Sequence, residues 1–457
     1  MNTQIKKMPA SGASLFFIGI GGISMSSLAM LSRHAGYRVS GSDCGHSPQL
    51  DTLRAAGITV YPTHEASHLD GCDAVIYTAA VSEENPELSA ARERGMQCYR
   101  RAEFLGSLMA AYRTRIGVAG THGKSTTTSM ISDIYLRAGA DPTIVSGAVL
   151  HEIGGAYRIG GHGTFIFEAC EYTDSFLSFC PSVSVVMNVE MDHVDYFHSM
   201  EQLRASFAQY IGYADRAVVN FDSPQTKLAL HASGFTGETA SFALHDREAL
   251  YTAENITYTQ GCASFDFCCR HHAICRIALS VPGEHNVYDA LAAAVTAYTD
   301  GVPAEVIVDA LFAFHGAARR FEYKGSYNGA RIYDDYAHHP SEIRATLAAA
   351  RGIGGRVRCV FQPHSYSRTA ELFSDFVTAF SDADEVILTD IYINLEAEHD
   401  IHGITAADLA AAVPGARYLS DFDEIAAYLR RTATSGDLIC VMGAGNVYQL
   451  EDKILEQ

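Results

Sequence analysis

The twenty residues from Ile116 to Tyr135 constrain this chain more than any others. Ile116-Gly117-Val118-Ala119 is a short apolar run of strand type. Gly120-Thr121-His122-Gly123-Lys124-Ser125-Thr126 follows as a glycine-bracketed loop. Met130, Ile131, Ile134 and Tyr135 then recur at helical spacing until Gly139. A strand that feeds a helix through such a loop aims backbone N–H groups at an anion, and it belongs in a parallel sheet. A full Walker pattern has glycine where Val118 stands, but the Gly-Lys-Ser core lies in the strand-to-helix context that the pattern requires. Lys124 is therefore expected to bridge the β- and γ-phosphates of a nucleotide, with the Ser125 hydroxyl on Mg²⁺.

Around this unit the chain reads as three α/β blocks, expected at 1–111, 112–315 and 316–457. In the first, an apolar run at 15–18 enters a glycine turn. Met25, Leu28, Ala29, Ser32 and Ala35 follow at helical spacing, Gly36 stops the helix, and 37–40 and 74–78 read as further strands; the block is Rossmann-like. In the second, 164–167, 182–189 and 216–220 are apolar strands of the buried parallel kind, and 286–299 is an alanine-rich helix. In the third, strands at 331–334, 357–361, 385–389 and 438–442 alternate with helices at 340–351, 371–380, 406–412 and 423–431, with Pro340 at a helix start; this predicts a second Rossmann-like open sheet. The expected class is thus α/β in three domains, the central one a P-loop ATPase-like parallel sheet.

Bulk properties narrow the partners. The net charge is −20 in 457 residues, which argues against nucleic acid and anionic membranes as partners while leaving phosphate ligands open to local cations and backbone amides. No apolar run approaches the 18 residues of a membrane span, and the mixed opening at 1–14 lacks the features of a secretion signal. The 11 cysteines read as reduced thiols, which places the protein in the cytoplasm. Cys268, Cys269, His271, His272 and Cys275 sit in an alternating, strand-like stretch at 263–280. They lack paired Cys-x-x-Cys spacing and read as strand residues facing alternate sides, not as zinc ligands.

A second glycine loop, Gly19-Ile20-Gly21-Gly22-Ile23-Ser24, resembles a dinucleotide fingerprint with serine in place of the third glycine. Asp43 follows at the distance of a ribose-binding acid. Alone this loop serves NAD, FAD and UDP-sugars alike. Two such loops on separate blocks suit an enzyme that spends ATP on a nucleotide-linked substrate. Glu168, after the strand at 164–167, and Asp192-His193, after the strand at 182–189, are placed at carboxyl strand ends facing the crevice of an open sheet. A carboxylate and a histidine there suit a hard metal whose shell is completed by phosphate oxygens.

Seven strings in order carry a resemblance to the Mur ligases: GTHGKS at 120–125, EACEY at 168–172, NVEMDH at 188–193, GEHN at 283–286, ARRF at 318–321, DDYAHHP at 334–340 and FQPHSYSRT at 361–369. The resemblance implies roles at matching positions. Gly120 to Thr126, Asn286, Arg320 and Asp335 would bind ATP, Asn286 at the adenine, Arg320 at the γ-phosphate and Asp335 at the ribose. Ser125 and Glu168 would share one Mg²⁺ and His193 would hold a second, so that Lys124, Glu168, His193 and Arg320 form the catalytic set. Gly19, Gly21, Gly22, Ile23, Ser24 and Asp43 would hold a UDP-sugar, and Tyr336, His364 and Arg368 would receive an amino acid, Arg368 through its carboxylate. Phe207 stands where several relatives carry a carbamylated lysine, which speaks against the later-acting aspartate and diamino-acid ligases, and the glycine-rich first block and FQPHSYSRT resemble a member that adds L-alanine to UDP-N-acetylmuramate, expected as a monomer or homodimer.

The stretch Cys170-Glu171-Tyr172 departs from that member's acidic, serine-rich pattern and is similar to a tripeptide-recycling ligase, which stands as the alternative. From other classes, an NAD-binding redox regulator with a vestigial second loop predicts nicotinamide binding without ATP turnover, and a nucleotide-binding scaffold predicts function independent of Lys124.

Overall fold

The computed structural model describes residues 6–78, 80–194, 196–393 and 403–456, so part of the opening stretch at 1–14 lies outside them. Three sheets occur in succession. The first contains β1 (Ser14–Ile18), β2 (Arg38–Ser42), β3 (Thr59–Tyr61), β4 (Ala74–Tyr77) and β5 (Gln97–Arg100), all parallel, in the order β3-β2-β1-β4-β5. Helices α1 (Ile23–His34), α2 (Pro48–Ala55), α3 (Pro86–Glu93) and α4 (Arg101–Met109) connect or follow these strands. Leu15, Phe16, Phe17 and Ile18 are all fully buried, because a parallel sheet is covered on both faces. Chain order reverses beside β1, which puts the glycine loop at the switch point.

The second sheet has ten strands: β6 (Thr114–Ala119), β7 (Thr143–Leu150), β8 (Gly155–Arg158), β9 (Thr164–Glu168), β10 (Val183–Val186), β11 (Arg216–Asn220), β12 (Glu238–Ala243), β13 (Tyr251–Thr259), β14 (Cys262–Cys269) and β15 (His272–Pro282). The loop-bearing strand β6 pairs in parallel with β9 on one side and β10 on the other. Their carboxyl ends therefore open at one crevice, and α5 (Lys124–Arg137) starts there. Helices α6 (Met200–Ile211), α7 (Pro224–Ala232), α8 (Glu284–Thr299) and α9 (Ala304–Ala313) complete this part.

The third sheet runs β16-β17-β21-β18-β19-β20, from β16 (Glu322–Tyr327), β17 (Ala330–Asp335), β18 (Val357–Phe361), β19 (Glu385–Leu388), β20 (Arg417–Tyr418) and β21 (Leu438–Met442). Only β16 is antiparallel to its neighbour. Its helices are α10 (Pro340–Ile353), α11 (Tyr366–Glu371), α12 (Phe373–Ala379), α13 (Ala406–Ala412), α14 (Phe422–Thr432) and α15 (Gln449–Leu455). Pro340 takes the first helical position of α10, where its missing N–H costs nothing.

The structure corrects three local expectations. The strand expected at 182–189 ends at Val186: beyond it the chain passes beneath the loop, with Met187 N–H donating to Ala119 C=O at 2.9 Å and Thr121 N–H to Asn188 C=O at 3.3 Å. The stretch at 263–280 is a hairpin, not one strand. Arg270 and His271 both adopt positive φ, the backbone of a two-residue turn that follows strand twist. The helix expected at 371–380 begins later, at Phe373: Leu372 leaves helical geometry at ψ 19° and separates α12 from α11, which ends at Glu371.

Candidate functional site

The site begins with backbone geometry that only glycine tolerates. Gly123 caps α5 at φ 80°, and a Cβ there would lie 2.5 Å from Asp289 Oδ1. Lys124 and Ser125 thus occupy the first turn of the helix, beside its positive dipole end. Lys124 Nζ donates back to Gly120 C=O and, at 3.0 Å, to Thr121 C=O; it also pairs with Glu171 Oε2 at 3.2 Å. Burial opposes the ammonium charge, yet the neighbouring Glu171 carboxylate outweighs it and the Lys124 pKa is raised. The lysine is therefore a committed cation parked on a carboxylate at the place where phosphate oxygens are expected.

Ser125 Oγ donates to Glu168 Oε2 at 2.9 Å, and Gly147 N–H donates to the same oxygen at 3.0 Å. Glu168 is the last residue of β9, so its carboxylate reaches across to the helix start. His193, seven residues past the end of β10, lies with Nε2 3.9 Å from Glu171 Oε1 and stacks on Tyr172 at 4.6 Å. Glu171 joins Lys124 and His193 and is itself buried. In the sequence Glu171 stands out only as part of the string at 168–172, with no role of its own.

The third sheet delivers the arginine. Arg319 and Phe321 both take positive φ, 59° and 50°, strained values for such residues. Asp335 holds this segment through Oδ2, which accepts the Phe321 N–H at 2.9 Å, while Oδ1 accepts the Ala337 N–H of its own loop at 2.7 Å. Burial pushes the Asp335 pKa up to about 6. Arg320 then points into the site, with Nη2 3.4 Å from Ser125 Oγ and its guanidinium over Tyr336 at 5.3 Å. Arg319 turns the other way, pairing with Asp334 at 3.1 Å between the rings of Tyr336 and Tyr448.

Gly123, Arg320 and Asp335 line a cavity of about 580 Å³ together with His122, Thr126 and Asn286, among others. Asn286 donates to Pro282 C=O at 2.7 Å, which fixes it at the wall. Asp289 is buried there too, its pKa pushed up to about 7 by desolvation.

Beyond the cavity, Arg368 lies in the first turn of α11. Its Nε and Nη2 donate to Asp192 Oδ1 at 3.1 and 2.9 Å, and Nη1 lies 3.2 Å from His364 Nδ1. Burial alone would raise the Asp192 pKa, but the Arg368 guanidinium holds it well below the usual carboxylate range. Arg368 is thus tied to the central sheet, a contact that no sequence spacing foretold.

At the first glycine loop, Asp43 Oδ2 accepts the Gly21 N–H at 2.8 Å and Oδ1 the Gly45 N–H at 2.8 Å, so the acid braces the loop. Ser24 Oγ accepts from Arg101 Nη1 at 2.9 Å, which brings a cation to the loop that the motif did not reveal. The structure thus brings Lys124, Ser125, Glu168, His193 and Arg320 together and groups His364 with Arg368, while Gly19 to Ser24 and Asp43 form a separate cluster. Phe207 is fully buried with its ring on Phe176 at 5.2 Å, a core residue. Of the hairpin residues read as non-ligating, Cys268 is buried, whereas His271 is exposed and pairs with Glu254 at 2.7 Å.

A Walker-type loop facing an acidic strand end, with an arginine supplied by a separate sheet, makes this a multidomain protein with a site built for nucleotide phosphates. Three family models match in succession: Mur ligase family, catalytic domain, at 15–113; Mur ligase middle domain at 118–297; and Mur ligase, glutamate ligase domain, at 319–445. The chain belongs to the Mur ligase family. It is 44% identical over 454 residues to the UDP-N-acetylmuramate–L-alanine ligase of Acetivibrio thermocellus, covering 96% of this chain and 95% of that one. It is 42% identical over 451 residues to the ligase of the same name from Caldicellulosiruptor bescii, covering 97% and 98%. Among solved structures it is similar to the UDP-N-acetylmuramate–alanine ligase MurC of Thermotoga maritima, with TM-score 0.81, 25% identity and coverage of 97% and 98%. A murein peptide ligase of Psychrobacter arcticus matches with TM-score 0.74, 25% identity and the same coverage.

Proposed function

We infer that the chain joins L-alanine to the lactyl carboxylate of UDP-N-acetylmuramate, with ATP cleaved to ADP and phosphate, in the synthesis of peptidoglycan precursors. The observation that carries this reading is the end-to-end similarity to alanine ligases at 40–44% identity, together with a site whose parts match an acyl-phosphate route. A carboxylate oxygen attacks the γ-phosphorus, ADP leaves, and an acyl phosphate forms. The amine of alanine then attacks the acyl carbon, loses a proton, and expels phosphate.

Little covalent chemistry falls to the protein, so positioning and charge neutralisation dominate. In this reading Lys124 exchanges its Glu171 partner for β- and γ-phosphate oxygens, and Arg320 supports the γ-phosphate from the other side. Asp335, expected at the ribose, also positions Arg320, because its Oδ2 accepts the N–H of the neighbouring Phe321. The Ser125 hydroxyl and the Glu168 carboxylate, 2.9 Å apart, form an oxygen donor pair suited to Mg²⁺, and His193 beside Glu171 suits a second ion. Bound there, Mg²⁺ neutralises phosphate charge. Asn286 serves the nucleotide base, the 19–24 loop with Asp43 the UDP-sugar, and Tyr336, His364 and Arg368 the amino acid. Domain limits at 111/112 and 315/316 and a cytoplasmic location complete the proposal; no helix among the described residues is long and apolar enough to cross a membrane.

The test is phosphate release from ATP, Mg²⁺ and UDP-N-acetylmuramate with each amino acid in turn, and with a preformed L-alanyl-D-glutamyl-diaminopimelate tripeptide. Alanine should give the highest kcat/KM. Preference for the tripeptide would replace this reading with the recycling activity.

A further inference from the structure

Behind the phosphate site, the third sheet buries charged side chains that the reaction itself does not use. Glu451 in α15 and Asp334 in β17 are 3% and 2% exposed. Each has a carboxylate oxygen, Glu451 Oε1 and Asp334 Oδ1, that is closed to water and meets no hydrogen-bond donor among the described residues. The two side chains lie within hydrogen-bond reach of each other. Ionised carboxylates offer only acceptors, so two of them meet in a buried place when one carries a proton. We propose that Glu451 holds that proton, donates it to Asp334, and so acts as a positioning residue for Arg320.

The local charges call for one proton. Three carboxylates gather here: Asp334, Glu451 and Glu322, the cross-strand neighbour of Asp334. Two cations face them. Arg319 Nε donates to Asp334 Oδ2 at 3.1 Å, and Lys324 Nζ donates to Glu322 Oε1 at 3.3 Å. Among the described residues no cation pairs with Glu451, so an ionised Glu451 would stand uncompensated in a desolvated place. The guanidinium favours the charged form of Asp334, which leaves the proton to Glu451. Burial raises the pKa of both groups, and the Asp334 charge raises that of Glu451 further. The charges that α14 brings to α15, Asp423 on Lys453 and Arg430 on the Ile454 carbonyl, serve the last turn of that helix.

The pair reaches Arg320 through Arg319. The Arg319 side chain is held by Asp334, by the Gly443 carbonyl at 2.7 Å from Nη2, and by the rings of Tyr336 and Tyr448, the second of which caps the start of α15. The Arg319 N–H donates to Glu322 Oε2 at 2.9 Å, and its carbonyl accepts the Tyr336 N–H at 2.8 Å. Its positive φ is part of the strained bend that turns Arg320 toward Ser125. Loss of the Glu451 proton sets two like charges side by side without water. Moving α15 and Tyr448 away from β17 relieves the repulsion, frees Arg319 and unsettles the bend. The folded state thus holds a proton that the unfolded chain releases. Its contribution to stability is full below the ordinary carboxylate value of about 4 and is lost as pH rises through the raised one.

The test has two arms. In the first, denaturant unfolding of the full chain without ligands is followed from about pH 6 to about pH 9 for wild type and Glu451→Gln. The glutamine amide donates to Asp334 at every pH, so wild type should lose stability toward the alkaline end and the variant should lose less. Parallel curves overturn the shared proton. The second arm rests on the ligase reading above and measures ATP binding by calorimetry with Mg²⁺. From about pH 7 to about pH 9, wild-type affinity should fall about fivefold or more, and that of Glu451→Gln less than about twofold. Glu451→Ala, which leaves the Asp334 oxygen without a donor, should bind ATP weakly at both ends, and its rescue by glutamine separates the proton from the bulk of the side chain. Unfolding curves that differ while the two ATP profiles coincide overturn the positioning role. Wild type that binds no ATP at any pH overturns the ligase reading together with that role, and the unfolding curves then still decide on the proton.

Discussion

At the scale of single residues, the chemistry rests on charged groups that pair with each other across the site. Lys124→Ala made together with Glu171→Gln, so that no buried carboxylate loses its partner, should lower phosphate release about 100-fold or more relative to Glu171→Gln alone while the fold survives, since one cation lost from a desolvated phosphate site costs several kcal/mol; unchanged turnover would detach this loop from ATP. Arg368→Ala is a poor probe because it would strand the buried Asp192 carboxylate. Arg368→Lys keeps the charge and loses the fork, and should raise the KM for alanine about tenfold with less effect on ATP and UDP-N-acetylmuramate; saturation curves for all three substrates decide this. Asp289 supplies a pH prediction. Its folded pKa, near 7, lies above the ordinary carboxylate value because of burial. The folded state therefore holds a proton that the unfolded chain has released, and this group's contribution to stability falls as pH rises from about 4 through 7. Asp289→Asn should flatten that part of the stability-versus-pH curve, as measured by denaturant unfolding of both proteins; parallel curves would show that the carboxyl is ionised throughout. Residue identity announced Lys124, Ser125 and Glu168 because the chemistry of each is tied to a local pattern. Only the family resemblance singled out Arg320 over Arg319 for the γ-phosphate; the physical reason, Asp335 and Asp334 brought near by the fold, is not in the local pattern.

At the scale of elements, two strand-loop-helix units place the two nucleotide-like sites. Gly21 tests the first: a Cβ there would meet Leu50 Cδ2 at 2.7 Å and Asp43 Oδ2 at 2.8 Å. Gly21→Ala should therefore raise the KM for UDP-N-acetylmuramate at least tenfold and leave that for ATP near its original value, because the second loop stands on a different sheet; equal effects on both substrates would contradict two independent loops. Most strands and helices were legible in the sequence, since buried parallel strands and amphipathic helices leave strong periodic signals. The errors came where tertiary contacts took over. The strand after Pro181 read as longer than it is because Met187 and Val189 are as apolar as the strand, yet the chain there leaves the sheet to support the loop. The hairpin at 270–271 was missed because Arg and His are not the glycine or asparagine that usually mark positive φ.

At the scale of the whole molecule, the proposed reaction requires three sheets to cooperate: one for the UDP-sugar, one for ATP, one for the arginine and the amino acid. Contacts across the second and third sheets, such as His122 with Glu342, Arg320 with Ser125 and Arg368 with Asp192, assemble the site only when the two are together. Sequence order alone could not supply these pairs, which join residues separated by up to 220 positions. The most direct test labels the lactyl carboxylate of UDP-N-acetylmuramate with ¹⁸O and follows ligation to L-alanine by mass spectrometry. Transfer through an acyl phosphate puts one ¹⁸O into the released phosphate for each alanyl amide formed, with one ¹⁸O kept in the product. Phosphate free of label, or a chain that leaves alanine unused while consuming ATP with a preformed tripeptide, would contradict the account.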